Sequence, residues 1–397
     1  MLLDDEIVRR GGISDRALTI LNETDRIIDL RLHAHLPSRG PVSVPAYVVY
    51  HNAVRGPPCK GGLRISSEVT LDETIRLAEI MTYKTALMDL PFGGGKSSIV
   101  ADRDLPPQEK AILVREFAHK IRGELTSGAY VPAPDFGTGP REMAVIFGEI
   151  HRRECVTGKP IGIGGLPGRR EATGYGVSVI LEQVAEELLD SESSELTVAV
   201  QGFGNVGSWA CTFLAKLGAK IVAVTDARGG TVLKDGINVE ELKEHVLKRG
   251  TVGGYGKHLT NEELFKLDVD VLIPAAVGNV ITGKNARDIR AKLIIEGANA
   301  PTTREADEIL VKKGIPVVPD ALANAGGVVA SYDEWMMAKS GSRTSKEETY
   351  ATIRKALLNA FNEVLDYSSK HEISLRKAAL ALAATRLVGT MEDRGWI

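Results

Sequence analysis

The sequence predicts an α/β protein with a doubly wound parallel sheet in its second half. From about residue 196 onward, short apolar runs of strand type alternate with segments whose apolar residues recur at helical spacing. The connections between these runs are short and rich in turn-forming residues. At 397 residues the chain is long enough for two domains or slightly more, each with its own hydrophobic core.

Composition excludes several classes of protein. The apolar share of 43% and the charged share of 25% are ordinary for a globular protein, and a net charge of -3 gives no reason to expect nucleic acid or a membrane surface as a partner. The first residues are acidic, and no apolar run reaches the roughly 18 residues that would span a bilayer. Three scattered cysteines indicate neither a disulfide framework nor a metal site. We therefore expect a cytoplasmic protein that binds no metal.

The first half is predicted to mix strands and helices. A β-hairpin is expected because two strand-like runs flank a turn, and the spacing of Thr70 and Glu73 is typical of a capping box at a helix start. Prolines mark two further helix starts, where their missing N–H costs nothing. The predicted elements are a helix and then a strand up to about residue 36, a strand over 42–50, a helix from Thr70, a helix over 106–122, a strand over 129–131 and a helix from Pro140.

Residues 91–98, Pro-Phe-Gly-Gly-Gly-Lys-Ser-Ser, are the most unusual stretch of this half. Three glycines before Lys96 are costly in conformational entropy unless something approaches the backbone closely. A phosphate-binding loop is excluded, because Leu90 stands where that motif needs its first glycine. We therefore interpret Lys96 as a site residue in a glycine-rich loop. The other charged residues in such loops or at a helix edge are Lys60, Lys84 and Asp135.

Residues 162–168 are predicted to be a hinge, because glycine and proline dominate them. An amphipathic helix follows, with apolar residues at positions 177, 180, 181, 184 and 188. The remaining predicted elements are strands over 196–200, 221–224, 271–273, 293–295 and 316–318, helices over 206–217 and near Glu240 and Arg304, and a long helical tail from about Ser345.

The first of these strands runs directly into a Gly-x-Gly-x-x-Gly motif that opens a helix, and the next strand ends at Asp226, about 20 residues later. This context predicts a dinucleotide site. The glycines let the backbone approach the pyrophosphate, and the helix N-terminus offers it free N–H groups. The predicted cofactor-binding residues are Gly202, Phe203, Gly204, Asn205, Val206, Gly207 and Asp226.

Asp226 favours NAD as the cofactor. Its carboxylate would accept hydrogen bonds from the ribose hydroxyls and would repel a 2′-phosphate. Arg228 stands two residues later and could pair with such a phosphate, so NADP stays an alternative. A dinucleotide domain together with several lysines indicates hydride transfer to a substrate that carries carboxylates. Lysine also suits proton transfer, since burial and nearby cations lower its pKa toward neutrality.

Eight short motifs are distributed along nearly the whole chain. They are HNAVRGPPCKGGLR, MTYKTALMDLPFGGGK, VPAPDFGTG, GRREATGYGV, QGFGNVG, EGANAPTT, NAGGVVAS and AALALAATRLVGTMEDRGWI. In this order they resemble the glutamate dehydrogenases of the Glu/Leu/Phe/Val amino-acid dehydrogenase superfamily. The resemblance implies a Rossmann-type dinucleotide-binding domain after an α/β substrate-binding and assembly domain. It also implies domain limits of 178–332 for the former, and of 1–177 completed by the C-terminal helices of 333–397 for the latter.

The resemblance also implies a role for each polar residue. Lys84 matches the residue that holds the substrate α-carboxylate, and Met81 stands where some relatives carry a glutamine that helps it. Lys96 matches the catalytic lysine, and Asp135 matches the general acid and base that serves the amino nitrogen. Further matches are Lys60 and Ser331 for the side-chain carboxylate, and Thr173, Asn205, Asn299 and Asn324 for the cofactor.

The implied activity is oxidative deamination of L-glutamate to 2-oxoglutarate and ammonia, and its reversal, in a homo-hexamer. A sister enzyme for branched-chain or aromatic amino acids is an alternative, but Lys60 and Ser331 argue against it. A non-catalytic regulatory subunit is a second alternative, and the presence of Lys96 and Asp135 argues against that. Departures from the family pattern are Ser97 and Ser98, where glycines are frequent, and Leu166-Pro-Gly168 in place of Ser-Leu-Gly.

Overall fold

The computed structural model describes residues 2–397, which form two compact units. Unit 1 comprises the chain up to Arg169 together with Val328–Thr349 and Leu380–Ile397. Unit 2 comprises Arg170–Gly327 and Tyr350–Ala379. Residues 350–379 thus cluster with unit 2, whereas the sequence places the chain from 333 onward with the first domain.

Unit 1 is built on a five-stranded sheet. Its strands are β1 (Arg26–Leu36), β2 (Gly40–Asn52), β3 (Cys59–Ile65), β4 (Gly93–Ile99) and β5 (Tyr130–Pro134), in the spatial order β1-β2-β4-β3-β5. Its helices are α1 (Asp5–Arg10), α2 (Asp15–Asn22), α3 (Leu71–Leu87), α4 (Pro107–Lys120), α5 (Arg122–Ser127) and α6 (Pro140–Ile150). The predicted hairpin is confirmed, because β1 pairs antiparallel with β2 along its full length. The helices predicted from Thr70, Pro106 and Pro140 are also confirmed.

The core of unit 1 explains why these elements form. Apolar residues recur at helical spacing in α4 and α6, and Phe117, Met143 and Ile146 from these helices are fully buried with Leu63 and Tyr130 of the sheet. β4 pairs antiparallel with β2 and parallel with β3, and β3 pairs parallel with β5. The central strands β3 and β4 are therefore hydrogen-bonded on both edges, and their residues are almost all buried.

The interpretation of the segments around Lys60 and Lys96 as loops is wrong, because both lie inside strands. Glycine is unfavourable in a strand interior unless another group approaches closely, and that exception applies here. A Cβ atom on Gly61 would overlap the carbonyl oxygen of Gly95, and one on Gly94 would overlap Thr82 of α3. These glycines therefore serve close packing inside the sheet.

Unit 2 is built on a seven-stranded sheet. Its strands are β6 (Thr197–Gln201), β7 (Lys220–Asp226), β8 (Gly229–Val232), β9 (Lys257–Leu259), β10 (Val271–Pro274), β11 (Leu293–Ile295) and β12 (Val317–Val318), in the order β12-β11-β10-β6-β7-β8-β9. The helices of the second half of the chain are α7 (Ala172–Leu189), α8 (Asn205–Lys216), α9 (Val239–Arg249), α10 (Asn261–Leu264), α11 (Arg304–Lys312), α12 (Asp320–Ala323), α13 (Gly326–Ser340), α14 (Lys346–His371) and α15 (Leu375–Asp393).

The predicted parallel sheet is confirmed over β12, β11, β10, β6 and β7. From β6 the chain continues to β7 on one side of the sheet, and β10 lies on the other side. The strand order therefore reverses at β6, which is where ligands bind in sheets of this kind. The antiparallel strands β8 and β9 were not predicted, because they are short and contain several polar residues.

The predicted helical tail from Ser345 is confirmed as α14 and α15. The motif of residues 324–331 before it is also largely helical, since α13 begins at Gly326. A Cβ atom on Gly326 would overlap the carbonyl oxygen of Ala172, so this glycine lets two segments of unit 2 pack closely. Among residues 2–397, no helix combines the length and the apolar character needed to cross a membrane.

Candidate active site

One face of the unit 1 sheet carries four charged side chains. Successive side chains of a strand point to opposite faces, and paired residues on neighbouring strands share a face. Lys60 pairs with Gly94 and Arg64 pairs with Ser98, which places Lys60, Arg64 and Lys96 on the same face. Asp135 directly follows β5, whose Ala133 pairs with Gly62. Residues that are far apart in the sequence thus meet on adjacent strands.

Lys96 and Asp135 are in direct contact. The Lys96 Nζ donates a hydrogen bond to Asp135 Oδ2, while Asp135 Oδ1 accepts from Arg64 Nε at 3.0 Å and from Phe136 N at 2.7 Å. Gly62 makes room for this arrangement, because a Cβ atom there would lie 2.6 Å from the Asp135 Cβ. The structure therefore brings together the two residues predicted to be catalytic, and it adds Arg64 to them.

The pKa values of the pair are shifted by burial and by each other. Burial lowers the pKa of Lys96, and Arg64 adds to this effect, while Asp135 offsets part of it. Burial acts to raise the pKa of Asp135, but Lys96 and Arg64 outweigh it, so that this pKa is lowered overall. A carboxylate thus faces an ammonium group whose proton is held less tightly than usual, an arrangement suited to proton exchange.

The serines that depart from the family pattern have hydrogen-bond partners. Ser97 lies on the opposite face of β4 from Lys96 and accepts a hydrogen bond from the Tyr130 hydroxyl at 2.9 Å. Ser98 lies on the Lys96 face, where its hydroxyl is 2.8 Å from that of Thr74 in α3. Both serines are fully buried in a regular strand. The two substitutions therefore add hydrogen bonds behind Lys96 and leave no polar group unsatisfied.

Helix α3 lies against β4 and carries two more predicted site residues. Its first turn is capped by Thr70, whose side chain accepts a hydrogen bond from Glu73 N at 3.1 Å. Lys84 in its last turn is buried, and Met81 one turn earlier is partly exposed. Both residues thus belong to unit 1 and to the helix that packs against β4, the strand that carries Lys96.

Lys60 lies in a buried, cation-rich pocket. Burial lowers its pKa well below the usual range, the positive charge of Arg169 lowers it further, and the negative charge of Glu334 acts in the opposite direction. The Nε of Arg169 is buried and has no hydrogen-bond partner among residues 2–397. Ser331 is also buried, one helical turn before Glu334 in α13.

Glu334 is the buried carboxylate whose charge acts on this pocket. It accepts hydrogen bonds from Gly158 N at 2.8 Å, Lys159 N at 3.2 Å and Lys159 Nζ at 2.7 Å. Three basic side chains, those of Lys60, Lys159 and Arg169, thus lie near a single carboxylate, that of Glu334. Because positive charges removed from water need negative partners, this region has too few carboxylates for its basic groups. The pocket is therefore suited to the carboxylate of a ligand.

Arg64, Lys159, Arg169 and Glu334 were missed as site residues by the sequence reasoning. Arg64 and Arg169 lie within quoted motifs, and a buried-type strand around Arg64 would have been the signal for that residue. Nothing in the local sequence marks Glu334, because its partners lie about 175 residues earlier and meet it only through the tertiary fold.

The glycine turn of unit 2 fits a dinucleotide phosphate. Gly202 has φ of +96°, and a Cβ atom on Gly207 would overlap the carbonyl oxygen of Gly202, so both positions require glycine. At Gly204 a Cβ atom would meet open space, and the first N–H groups of α8 follow directly. Phe203 and Val206 are partly exposed beside them. The predicted turn therefore leaves room for an anionic group to reach the backbone.

Asp226 lies at the end of β7, next to this turn, since Gly202 N donates to the carbonyl oxygen of the preceding Thr225 at 2.8 Å. Its side chain already accepts hydrogen bonds from Arg228 N at 2.7 Å, Thr251 Oγ1 at 2.8 Å and Val252 N at 2.7 Å. A carboxylate offers about four lone-pair sites. Asp226 thus keeps capacity for roughly one further hydrogen bond, which the sequence did not reveal.

The remaining cofactor candidates form two groups in unit 2. Asn205 donates a hydrogen bond to the carbonyl oxygen of Arg170 at 3.0 Å, which brings the start of α7, with Thr173, to the glycine turn. Asn324 donates to Asn299 Oδ1 at 3.1 Å, and Asn299 follows the carboxyl end of β11. Thr173 and Asn205 lie beside the end of β6, and Asn299 and Asn324 lie beside the end of β11. Only β10 separates these two strands in the sheet.

Comparisons with known proteins agree with this arrangement. The family model of the Glutamate/Leucine/Phenylalanine/Valine dehydrogenases matches residues 164–395, and the model described as the Glu/Leu/Phe/Val dehydrogenase dimerisation domain matches residues 25–152. The NADP-specific glutamate dehydrogenase of Saccharolobus shibatae is 42% identical over 97% of this chain and 93% of its own length. The NAD-specific glutamate dehydrogenase A of Halobacterium salinarum is 43% identical over 88% of this chain and 82% of its own.

Among solved structures, the hetero-hexameric glutamate dehydrogenase from Thermus thermophilus, in its Leu-bound form, superposes with a TM-score of 0.93 and 32% identity. The match covers 98% of this chain and 95% of that one. The two family models together match residues 25–152 and 164–395, and the relatives and the solved structure match over most of both chains. The chain therefore belongs to the Glu/Leu/Phe/Val dehydrogenase family.

Proposed function

We propose that the protein catalyses the oxidative deamination of L-glutamate to 2-oxoglutarate and ammonia, and the reverse reductive amination, with a nicotinamide dinucleotide. The observation that carries this proposal is one sheet face that presents both the Lys96–Asp135 pair and the cation-rich pocket of Lys60. The first supplies proton transfer, and the second supplies counter-charges for a side-chain carboxylate. The relatives named as glutamate dehydrogenases support the same substrate.

Substrate binding is assigned to four residues of unit 1. Lys84 holds the α-carboxylate, with Met81 beside it on α3. Lys60 holds the side-chain carboxylate together with Ser331, and the partly buried Arg169 adds a second positive charge to that pocket. A dicarboxylate bound at both ends is fixed in position and orientation, which lowers the entropic part of the barrier.

Catalysis is assigned to Lys96 and Asp135. Asp135 moves protons to and from the amino nitrogen through Oδ2, and Lys96 stabilises the developing charge on the carbonyl oxygen. When neutral, Lys96 activates the water that attacks iminoglutarate, and its lowered pKa makes that neutral form accessible. The nicotinamide, when bound, supplies the hydride acceptor for Cα of glutamate.

Cofactor binding is assigned to unit 2. The backbone of Gly202–Gly207 receives the pyrophosphate, and Asp226 receives the ribose. Thr173, Asn205, Asn299 and Asn324 serve the nicotinamide end, as their positions at the carboxyl side of the sheet suggest. We propose NAD as the preferred cofactor because Asp226 would repel a 2′-phosphate, and NADP as the alternative, since relatives of similar identity are specific for one or the other.

We further propose a homo-hexamer of cytoplasmic location. Unit 1 then serves assembly, in keeping with the dimerisation domain that matches residues 25–152, while the solved relative with a TM-score of 0.93 is a hetero-hexamer. Three free, buried thiols, those of Cys59, Cys155 and Cys211, are typical of a reducing compartment. The proposed domain functions follow the sequence prediction, with substrate binding and assembly in the first domain and the dinucleotide in the second.

The test is reductive amination assayed over a panel of 2-oxo acids with NADH and with NADPH. We expect 2-oxoglutarate to be the best substrate and NADH the better cofactor. A preference for 2-oxoisocaproate or phenylpyruvate would favour the sister dehydrogenases. Absence of turnover with every 2-oxo acid would favour a regulatory subunit. The buried cations of the Lys60 pocket argue against the first alternative, and the direct Lys96–Asp135 contact argues against the second.

A further inference from the structure

Arg64 is the charged residue of the sheet face to which no role has been assigned. It lies in β3, and its guanidinium group reaches two carboxylates that come from different parts of unit 1. Arg64 Nε donates to Asp135 Oδ1 at 3.0 Å, and Nη1 donates to Glu73 Oε1 in α3 at 2.5 Å. The ring of Phe136 lies 5.9 Å from the guanidinium carbon. Arg64 is thus fixed on several sides.

The two oxygens of Asp135 are not equivalent. Oδ1 accepts hydrogen bonds from Arg64 Nε and from Phe136 N, which occupies both of its lone pairs. Oδ2 accepts from Lys96. Any change at Lys96 during a reaction therefore acts on Oδ2, while Oδ1 keeps its two partners. The structure divides the carboxylate into a fixed oxygen and an exchangeable one.

We propose that Arg64 is a positioning residue that holds Oδ1 of Asp135, so that Oδ2 alone exchanges protons with the amino nitrogen of the substrate. This role rests on the proposed function, because it takes Asp135 as the acid and base of the reaction. A fixed carboxylate presents its proton-exchanging oxygen in one direction, and small errors of position in such a group cost large factors in rate.

The shape of arginine suits this role, and the shape of lysine does not. The planar guanidinium group donates from several nitrogens in fixed directions, so that Nε can hold Asp135 while Nη1 holds Glu73. A lysine at this position would keep the charge, but its single ammonium group has no such fork. The substitution Arg64→Lys therefore keeps the positive charge and removes the fixed directions of the hydrogen bonds.

Arg64 also influences the charge of Asp135. The charged groups that face Asp135 are Lys96 from β4 and Arg64 from β3, with Glu73 of α3 behind Arg64. Both cations favour the carboxylate form, so loss of Arg64 raises the pKa of Asp135. Oxidation of glutamate needs Asp135 as a base and Lys96 in its neutral form, so the acid limb of the pH profile reports the Lys96–Asp135 pair. Arg64 lowers the pKa of both groups. Removal of Arg64 must therefore move the acid limb to higher pH.

The experiment compares Arg64→Lys, Arg64→Gln and Glu73→Gln with the wild-type enzyme, and Arg115→Lys is the matched control. Arg115 lies in α4 and forms a surface pair with Glu149 of α6 at 2.7 Å. For Arg64→Lys we expect kcat to fall about 10- to 100-fold while KM for glutamate and for NAD changes about threefold or less. Glu73→Gln keeps the charge of Arg64 and is expected to cause a smaller loss of kcat.

The pH measurements use Arg64→Gln. Its acid limb of kcat/KM is expected at higher pH than that of the wild-type enzyme, and the control is expected to match the wild type. The titration of the Asp135 carboxyl carbon, followed by carbon-13 NMR and assigned with Asp135→Asn, is expected to shift the same way. This second measurement needs no turnover, so it separates a failure of the proposed function from a failure of the role of Arg64.

Unchanged kcat in Arg64→Lys, or an unshifted carboxyl titration in Arg64→Gln, would overturn the proposal. A loss of activity that is fully explained by a lower folded fraction, with the acid limb in place, would also overturn it and leave Arg64 a merely structural residue. Thermal unfolding of each variant supplies the folded fraction for this comparison.

Discussion

At the scale of single residues, Lys96 and Asp135 are the groups on which the proposed chemistry depends. They are in contact within unit 1, while the predicted dinucleotide turn belongs to unit 2. We therefore expect Lys96→Ala and Asp135→Asn each to lower turnover by at least about three orders of magnitude, with NADH affinity within about threefold of the wild type. Steady-state kinetics and a fluorescence titration of NADH measure the two effects.

The control for these variants is Lys120→Ala. Lys120 is exposed on α4, and its Nζ lies 3.8 Å from Glu116 Oε1. Its substitution is expected to leave both turnover and NADH affinity unchanged. Near-normal turnover in Lys96→Ala or Asp135→Asn would remove that residue from the catalytic pair.

Substrate selectivity is the second prediction at this scale. Lys60→Leu removes a cation from a pocket that contains one carboxylate and two other cations. Since the side-chain carboxylate of glutamate then loses a counter-charge, kcat/KM for 2-oxoglutarate is expected to fall at least about 10-fold relative to that for 2-oxovalerate. The ratio of the two values is the quantity to measure. An unchanged ratio would show that Lys60 lies outside the side-chain pocket.

The sequence allowed part of this site to be predicted. The three costly glycines before Lys96 and the glycine- or proline-rich surroundings of Lys60 and Asp135 mark these residues as candidates, and the family motifs imply a role for each. Arg64 and Glu334 were missed because their significance lies in contacts across the fold. Arg64 binds residues 9 and 71 positions away, and Glu334 binds residues about 175 positions away. No local pattern encodes the contacts of Glu334.

At the scale of elements, β3 and β4 differ most from expectation. Their glycines predict loops, since glycine is depleted in strands and lowers the β propensity of any window. In the structure the same glycines allow β3, β4 and α3 to approach one another more closely than any side chain would permit. The type of element was therefore decided by tertiary packing, which overrides local propensity.

This packing gives a prediction with a matched pair of variants. Gly94→Ala places a methyl group on Thr82 and on the α3 backbone, so we expect a loss of stability of at least about 3 kcal/mol or a failure to fold. Gly148→Ala lies on the exposed side of α6 with open space around it and is expected to change stability by about 1 kcal/mol or less, in the stabilising direction. Chemical unfolding of both variants tests this contrast. Equal stabilities would show that β4 can move away from α3 at little cost.

At the scale of the whole molecule, the alternation of strands and helices was enough to predict the parallel sheet of unit 2. The antiparallel strands β8 and β9 escaped prediction because short, polar strands carry little periodic signal. Residues 350–379 cluster with unit 2, and the amphipathic pattern of a helix shows that it packs but not against which partner.

Assembly is the prediction that belongs to this scale. We expect the purified chain alone to sediment as a particle of six copies and to be active in that form, as proposed from the dimerisation-domain match. Analytical ultracentrifugation combined with an activity assay on the same fractions is the measurement. A chain that sediments as a smaller species and gains activity only when a second, different chain is added would contradict the homo-hexamer.

The close pairing of β3 with β4 also determines how accurately β4 must find its register when the protein refolds. Three successive glycines offer no side chains by which neighbouring positions of β4 could be told apart, yet a slip of one residue would turn Lys96 to the opposite face of the sheet. The tight contacts at Gly61 and Gly94 are what discriminate against such a slip. A preparation trapped in the slipped arrangement would retain its far-ultraviolet circular dichroism and lose its catalysis. Titration of active sites is therefore a better measure of recovery after denaturation than the spectrum.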